Sequence, residues 1–263
     1  MTNKLKVTNR QLISIGKIAD REEYEVYVVG GYVRDLMMGR TAEEADIMVV
    51  GDAPVFATAV AKEFEKKPDA IYKRFGTALV VLDGMKIEFA SARKESYEKT
   101  SRKPSVTPAN FNDDLSRRDF TINAIAASLN SPGFGNITDL FGGIGDIENK
   151  TLRTPLDPIK TFEDDPLRIM RALRFASRLE FNIDPNTLEA MNQMAKRLSE
   201  DVVSQERITN EFLLILSTPT PSIGLNLMYL TGVMDHVFPE ISNLAGVDQR
   251  NEYHHKDVFR HTL

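Results

Sequence analysis

The chain has 263 residues, of which 42% are hydrophobic and 27% charged, and its formal net charge at pH 7 is −5. This composition is that of an ordinary globular protein, and it excludes the collagen-like and wholly disordered classes. Neither half of the chain is basic, which disfavours a protein that holds nucleic acid by bulk charge alone. The sequence contains no cysteine, no apolar run of about 18 residues and no signal-peptide core, so we expect a cytoplasmic protein without a membrane partner.

The first 150 residues combine short strands with helices. In chain order the patterns predict a helix over 8–20, a strand over 25–29, a helical turn over 33–38, a strand over 46–50, a helix over 55–66, strands over 78–82 and 86–90, a loop over 93–108, a helix over 119–130 and a turn over 139–143. Asp83-Gly84, between the paired strands, is the strongest hairpin signal in the chain.

Beyond residue 155 only helical patterns remain, over 165–180, 185–198, 204–217 and 222–234. The sequence therefore predicts an α+β fold, with a mixed β-sheet domain over 1–150 and an all-helical section over 151–263.

Gly30-Gly31 stands between a predicted strand and a predicted helix. Glycine in such a turn lets backbone N–H groups approach a phosphate at the positive end of a helix. On these residues alone, a purely structural glycine turn is the favoured interpretation.

Glu44 and Asp46 open the second predicted strand, and carboxylates two residues apart on a strand point to the same face. Glu88 stands between Ile87 and Phe89 in the hairpin, where an acidic side chain needs a partner or a metal. Three carboxylates on neighbouring strands suit two-metal phosphoryl or nucleotidyl transfer. A solvated acidic turn is the competing interpretation of Glu44 and Asp46.

Arg117 and Arg118 precede Asp119 and Asn123 in the next dense segment. Two arginines can clamp a triphosphate through bidentate hydrogen bonds, and Asn123 can reach a ribose hydroxyl. The alternative is a simple helix start, with Asp119 near the positive end of the helix dipole.

Asp165-Pro166 is a common helix start, with Asp165 as the N-cap. Four arginines then fall within an arc of about 120° on the helical wheel, opposite an apolar face. They are Arg168, Arg171, Arg174 and Arg178. Asp165 and Arg168 can together present an acceptor and a fork of donors to a nucleobase edge.

Three of the four histidines lie in the segment 254–261. This segment is interpreted as the opening of a helix and not as a metal site, because no His-Asp pair follows it.

Taken together, five segments in sequence order resemble the motifs of the class II tRNA nucleotidyltransferase and bacterial poly(A) polymerase family, within the polymerase-β-like superfamily. They are 30–46, 117–124, 139–146, 164–175 and 204–211. In that family the segment resembling 254–261 leads into further helices, so the resemblance implies that the chain is the nucleotidyltransferase head and the helical neck.

The resemblance also implies the roles of individual residues. Glu44 and Asp46 would bind two Mg²⁺ ions, with Glu88 as a supporting third acid. Gly30, Gly31 and Arg34 would hold the triphosphate, and Arg118, Asp119 and Asn123 the nucleotide and its ribose. Asp165 and Arg168 would pair with the Watson–Crick edge of CTP or ATP, beside Arg171 and Arg174. The acceptor would be the 3′ end of tRNA.

One position departs from the family, which usually has aspartate where this chain has Glu44. The extra methylene moves the carboxylate about 1 Å further out, and Mg²⁺ tolerates little deviation from octahedral geometry. Addition of CCA to tRNA is the leading hypothesis. The alternatives are poly(A) addition, a partial CC- or A-adding enzyme, and an inactive nucleotide- or RNA-binding homologue.

Overall fold

The computed structural model of the protein describes residues 4–96, 105–108, 110–200 and 202–244. These residues fall into two compact units. The N-terminal unit comprises the described residues up to 148, and the C-terminal unit those from 149 onward.

The N-terminal unit is built on strands with helices between them. Its helices are α1 (Arg10–Arg21), α2 (Gly31–Met37), α3 (Ala53–Glu63), α4 (Phe111–Ser116) and α5 (Gly143–Glu148). Its strands are β1 (Glu25–Val29), β2 (Glu44–Val50), β3 (Ala70–Tyr72), β4 (Thr77–Leu82), β5 (Met85–Ser91), β6 (Arg93–Ser96), β7 (Ser105–Pro108), β8 (Ile125–Ser128) and β9 (Ile137–Asp139). Short 3-10 turns occupy Lys73–Phe75 and Thr121–Asn123.

Seven of these strands form one sheet in the order β3-β4-β5-β2-β1-β8-β9. Strands β2 and β5 are parallel, whereas the other neighbours in the sheet are antiparallel. The sheet is therefore mixed. Together with the helical C-terminal unit, it confirms the predicted α+β fold class.

Helices α1 and α3 contribute to the main hydrophobic core of this unit. Leu12 and Ile15 of α1 and Phe56 of α3 are fully buried in the cluster that contains Val28 and Phe89 of the sheet. Alternate residues of each strand face this core, so the intervening residues point to the opposite face. That opposite face carries the polar side chains of β2 and β5.

The Asp83-Gly84 hairpin is confirmed. Leu82 pairs with Met85, and both turn residues have positive φ angles, 50° at Asp83 and 85° at Gly84. Two positive φ angles define the turn that matches the right-handed twist of the flanking strands.

The helix predicted over 119–130 is wrong. Only a 3-10 turn forms at Thr121–Asn123, and Ile125–Ser128 is strand β8, which pairs with both β1 and β9. The alanine-rich segment favours a helix locally, but its burial inside the sheet supplies hydrogen-bond partners on both sides.

The C-terminal unit is mainly helical. Its helices are α6 (Pro158–Asp164), α7 (Leu167–Leu179), α8 (Pro185–Met194), α9 (Gln205–Leu216), α10 (Pro221–Leu230), α11 (Val233–Val237) and α12 (Pro239–Ser242). A pair of two-residue parallel strands, β10 (Thr151–Leu152) and β11 (Asn182–Ile183), corrects the expectation that no strand follows residue 155. Across the described ranges, no helix combines the length and apolar character that crossing a bilayer requires.

Gly16 lets α1 approach the end of β8 closely. A Cβ at this position would lie 2.1 Å from the carbonyl oxygen of Leu129, which is backbone and cannot rotate away. We expect Gly16→Ala to lower the free energy of unfolding by about 1–3 kcal/mol, as overpacking does in other cores. Urea denaturation measures this change.

Gly145→Ala is the matched control, because a Cβ there would meet nothing within 4 Å. Alanine in helix α5 leaves the stability unchanged or raises it slightly. Equal stability of the two variants would contradict the packing argument.

Candidate functional site

Three acidic side chains line one face of strands β2 and β5. Glu44 and Asp46 alternate with buried Ala45 and Ile47, which confirms the predicted shared face. The parallel register places Asp46 beside Glu88 and Glu44 beside Lys86. Neighbouring strands lie about 4.8 Å apart, so the carboxylates of Asp46 and Glu88 are close neighbours across the sheet.

Glu44, Asp46 and Glu88 form an acidic strip, and their negative charges repel one another. Partial burial raises the pKa of Glu88, and the negative charges of Asp46 and Glu44 raise it further, while Arg93 acts in the opposite direction. A bound cation would relieve this repulsion, because it favours the ionised form of each carboxylate.

Carboxylate oxygens are the donors that a hard divalent cation prefers, so the chemistry of Asp46 and Glu88 fits such an ion. The side chain of Glu44 is directed elsewhere, since its Oε1 lies 3.1 Å from Nζ of Lys86 in an exposed cross-strand ion pair. Over the described ranges, no three acidic or histidine side chains converge closely enough to form a ready-made metal centre. The side chain of Glu44 therefore has to turn away from Nζ of Lys86 before its carboxylate can bind an ion together with that of Asp46.

The turn after β1 approaches this strip closely, because its first residue, Gly30, has no side chain. Gly30 has a φ of 69° and a ψ of −132°, a backbone region open essentially to glycine alone. A Cβ there would lie 3.1 Å from NH1 of Arg118 and 3.5 Å from Oδ2 of Asp46. Gly31 opens α2 directly after it. The missing side chain thus lets the backbone of this turn pack closely against a carboxylate and a guanidinium, at the start of a helix.

A buried hydrogen-bond network lies beside this glycine turn. NH1 of Arg34 donates to Oδ1 of Asn123 at 2.7 Å, and Nδ2 of Asn123 donates to Oδ1 of Asp119 at 3.1 Å. Arg34 is only 3% exposed and also pairs with Asp35. The structure thus gives Arg34, Asp119 and Asn123 supporting contacts with one another. Direct contact of these residues with a nucleotide remains a prediction.

Asp114 anchors the two arginines of this segment, and the sequence analysis did not identify it. Its carboxylate accepts from NH2 of Arg117 at 2.6 Å and from NH2 of Arg118 at 3.1 Å. Burial alone would raise the pKa of Asp114, but the charges and hydrogen bonds of Arg118 and Arg117 outweigh it and hold that pKa below its ordinary value. The i,i+3 and i,i+4 spacing from Asp114 to the arginines is the sequence signal that could have revealed it.

In the C-terminal unit, α7 carries the predicted basic face opposite buried apolar residues. Nε of Arg174 donates to Oε2 of Glu211 at 2.7 Å, and NH1 of Arg171 lies 4.0 Å from Oε1 of the same carboxylate. The guanidinium of Arg174 also covers the ring of Phe175, 4.4 Å from its centroid. Glu211, to which the sequence analysis gave no role, therefore fixes the orientation of two arginines.

Asp165 has a structural contact at the start of α7. Its Oδ1 accepts from the backbone N–H of Leu167 at 3.2 Å, and NH2 of Arg207 lies 3.5 Å from its Oδ2. Arg168 follows within the first turn, and its NH1 lies 3.5 Å from the carbonyl oxygen of Thr161. The N-cap of α7 is Pro166, so the prediction of Asp165 as the cap is wrong, and joint binding of a nucleobase by Asp165 and Arg168 stays a prediction. The histidine-rich segment 254–261 lies outside the described residues.

Comparison with known proteins places both units in one group. Residues 26–153 match the family model described as "Poly A polymerase head domain", and residues 180–244 match the model "Probable RNA and SrmB- binding site of polymerase A".

Two curated relatives and one solved structure are similar to most of the chain. An A-adding tRNA nucleotidyltransferase of Geobacter sulfurreducens is 37% identical over 89% of this chain and 26% of its own length. A CCA-adding enzyme of Lactobacillus johnsonii is 35% identical over 81% of this chain and 52% of its own length. A tRNA nucleotidyltransferase, solved with a primer tRNA and an incoming ATP analog, has a TM-score of 0.75 and 33% identity, covering 87% of this chain and 65% of its own. The chain thus spans between about a quarter and about half of these curated relatives.

The ion pair of Arg174 with Glu211 provides a test of the C-terminal unit. Glu211→Gln removes the charge that compensates a largely buried guanidinium, although the amide oxygen can still accept one hydrogen bond. We expect a loss of about 1–3 kcal/mol in the free energy of unfolding, measured by urea denaturation.

Glu206→Gln makes the same change at an exposed position of the same helix and serves as the control. We expect it to alter stability by less than about 0.5 kcal/mol. The positioning role of Glu211 is wrong if both variants unfold at the same urea concentration.

Proposed function

The chain belongs to the tRNA nucleotidyltransferase and poly(A) polymerase family, and from this premise we propose that it adds CMP and AMP from CTP and ATP to the 3′ end of tRNA. One juxtaposition carries the proposal. The backbone of Gly30 lies close to the side chains of Asp46 and Arg118, and Glu88 lies in register beside Asp46. Such a combination of glycine, arginine and carboxylates can bind phosphate and divalent cations.

Enzymes of this family work with divalent metal ions, and we propose Mg²⁺ as the ion used here. Glu44 and Asp46 hold it, and Glu88 supports them from the neighbouring strand. The chemistry that bound Mg²⁺ supplies is activation of the 3′-hydroxyl and neutralisation of the pyrophosphate that leaves.

The residues of the N-terminal unit act on the triphosphate and the ribose. The backbone of Gly30 and Gly31 and the guanidinium groups of Arg34 and Arg118 hold the phosphates, because charge-assisted hydrogen bonds to phosphate oxygens are strong. Asp119 and Asn123 orient the ribose, and their mutual hydrogen bond keeps the amide in one orientation.

The residues of the C-terminal unit select the nucleotide. Asp165 and Arg168 pair with the Watson–Crick edge of the base, so that protein side chains serve as the template. Arg171 and Arg174 also belong to the nucleotide-binding set, held in place by Glu211. Because tRNA and nucleoside triphosphates are its substrates, we expect the protein to work in the cytoplasm.

A partial enzyme that adds only the terminal AMP is the second candidate. The relative named as A-adding is at least as similar to this chain in sequence identity as the relative named as CCA-adding. Both reactions use the same chemistry and differ in which nucleotides Asp165 and Arg168 accept.

The experiment offers Mg²⁺ and tRNA transcripts that end before CCA, after C or after CC, with CTP, ATP or both. We expect stepwise addition of CMP followed by one AMP and a stop, read at single-nucleotide resolution. Asp46→Asn should lower turnover by about 100-fold or more, because it removes a charged ligand and not merely a supporting contact. Asp83→Asn, in the distant hairpin turn, is the control and should leave turnover unchanged, since asparagine suits that turn.

Other products would redirect the assignment. Addition of a single AMP only to transcripts that end after CC would identify the A-adding candidate. Long A tails would identify a poly(A) polymerase. Absence of incorporation, with nucleotide binding intact, would overturn the proposed transfer reaction.

Glu44 provides a separate prediction. Glu44→Asp shortens the side chain by one methylene and should weaken its ion pair with Lys86, whose Nζ lies 3.1 Å from Oε1 of Glu44. We expect turnover at saturating Mg²⁺ to rise several-fold, because the shorter ligand fits the demanding geometry of this ion better.

Glu43→Asp deletes the same methylene from the exposed neighbouring residue and should not change turnover. If Glu44→Asp also gives no gain, the length of this side chain does not limit the reaction.

A further inference from the structure

A cleft of about 860 Å³ lies in the N-terminal unit, on the side where α3 begins. Its walls come from the first turns of α3, from the segment 71–76 and from the end of β5. None of the residues assigned above to metal or nucleotide lines it. The cleft is therefore distinct from the proposed metal and nucleotide sites.

The lining of the cleft is positively charged, although the chain as a whole carries a net charge of −5. Lys73, Arg74 and Arg93 line it, against the single carboxylate of Asp52. That carboxylate is already engaged, because its Oδ1 accepts from the backbone N–H of Val55 at 3.0 Å. The local charge is thus complementary to an anion.

Two of these cations are available to a ligand. Lys73 and Arg74 are exposed, and neither forms an ion pair with any residue in the described part of the chain. Long cationic side chains of this kind form phosphate contacts with little desolvation.

Aromatic rings flank the same two cations in the sequence Tyr72-Lys73-Arg74-Phe75. Tyr72 is 56% and Phe75 52% exposed, which is unusual for rings that have a hydrophobic core available. NH1 of Arg93 donates to the carbonyl oxygen of Phe75 at 3.2 Å and so ties this segment to the end of β5. Exposed rings beside cations are the combination that single-stranded nucleic acid uses, with bases stacked and phosphates paired.

The end of β5 lies between the cleft and the carboxylate strip. Ser91 of the cleft lies three residues beyond Glu88 along β5, about 10 Å at the rise of a strand, and its side chain points to the α3 face of the sheet, opposite Glu88. The charge of Arg93 reaches Glu88, and the backbone oxygen of Arg93 accepts from Nε of Arg117 at 3.1 Å. Arg93, just after the end of β5, thus borders the cleft and also acts on the carboxylate strip through its charge.

We propose that this cleft binds a single-stranded segment of the RNA substrate, through phosphate contacts with Lys73 and Arg74 and stacking on Phe75. The proposal rests on the proposed function, since that function supplies the RNA, and it adds a binding surface on the N-terminal unit. An acidic peptide would satisfy the cations but would make no use of the exposed ring.

The test measures binding of a fluorescein-labelled tRNA transcript that lacks CCA, without metal or nucleotide, over a series of salt concentrations. The double variant Lys73→Ala/Arg74→Ala should weaken binding about tenfold or more and reduce the salt slope by about 0.7 per lost contact. Phe75→Leu should weaken binding about tenfold and leave the salt slope unchanged, because stacking releases no counterions.

Lys17→Ala/Lys62→Ala removes the same charge from exposed positions outside the cleft and is the matched control. It should leave the affinity close to that of the unmodified protein. In steady-state assays the cleft variants should raise KM for tRNA and leave kcat and KM for CTP unchanged.

The proposal is overturned if the cleft variants bind RNA like the control pair, or if the unmodified protein does not bind the transcript. It is also overturned if KM for CTP rises while RNA binding is unchanged, because the cleft then holds a mononucleotide. The two proposals fail separately. If the unmodified protein incorporates no nucleotide but the cleft variants lose RNA binding, only the proposed transfer reaction is refuted. If the unmodified protein incorporates nucleotides normally but the cleft variants bind RNA as it does, only the proposed cleft is refuted.

Discussion

Strands β2 and β5 run parallel, and this pairing puts the carboxylates of Asp46 and Glu88 beside each other on the same face of the sheet. Parallel neighbours need a long connection, which here contains α3, β3 and β4. The connection closes the main core on one face with α3 and leaves the other face to the acidic strip. The same connection carries the segment 71–76, so the cleft and the strip both follow from one pairing of strands.

Charge compensation then determines what the unit can hold. Lys86 pairs with Glu44 at the exposed end of the acidic strip, whereas Asp46 raises the pKa of Glu88 and Arg93 lowers it. Beside Gly30, Asp114 accepts from NH2 of Arg118, and NH1 of the same guanidinium donates to the carbonyl oxygen of Asn123. The acidic strip and an anchored arginine thus both lie against the glycine turn.

Features specified by neighbouring residues could be predicted from the sequence, and features specified by distant ones could not. The hairpin at Asp83-Gly84 and the shared face of Glu44 and Asp46 depend on local conformation and on the alternation of a strand. Strand β8 was missed, because its alanines become a strand only through pairing with β1 and β9. The ion pair of Glu44 with Lys86 was missed for the same reason, since it depends on the register between two strands 42 residues apart in the chain.

Asp114 ties two arginines to one buried carboxylate, and this has a consequence for how the segment can evolve. Replacement of Asp114 removes the carboxylate that both guanidinium groups share, and replacement of either arginine leaves this buried carboxylate paired with the other one. Substitutions at these positions are therefore costly, and their effects do not add when they are combined. Among descendants of this sequence, the carboxylate at position 114 should persist wherever the arginine at position 118 does.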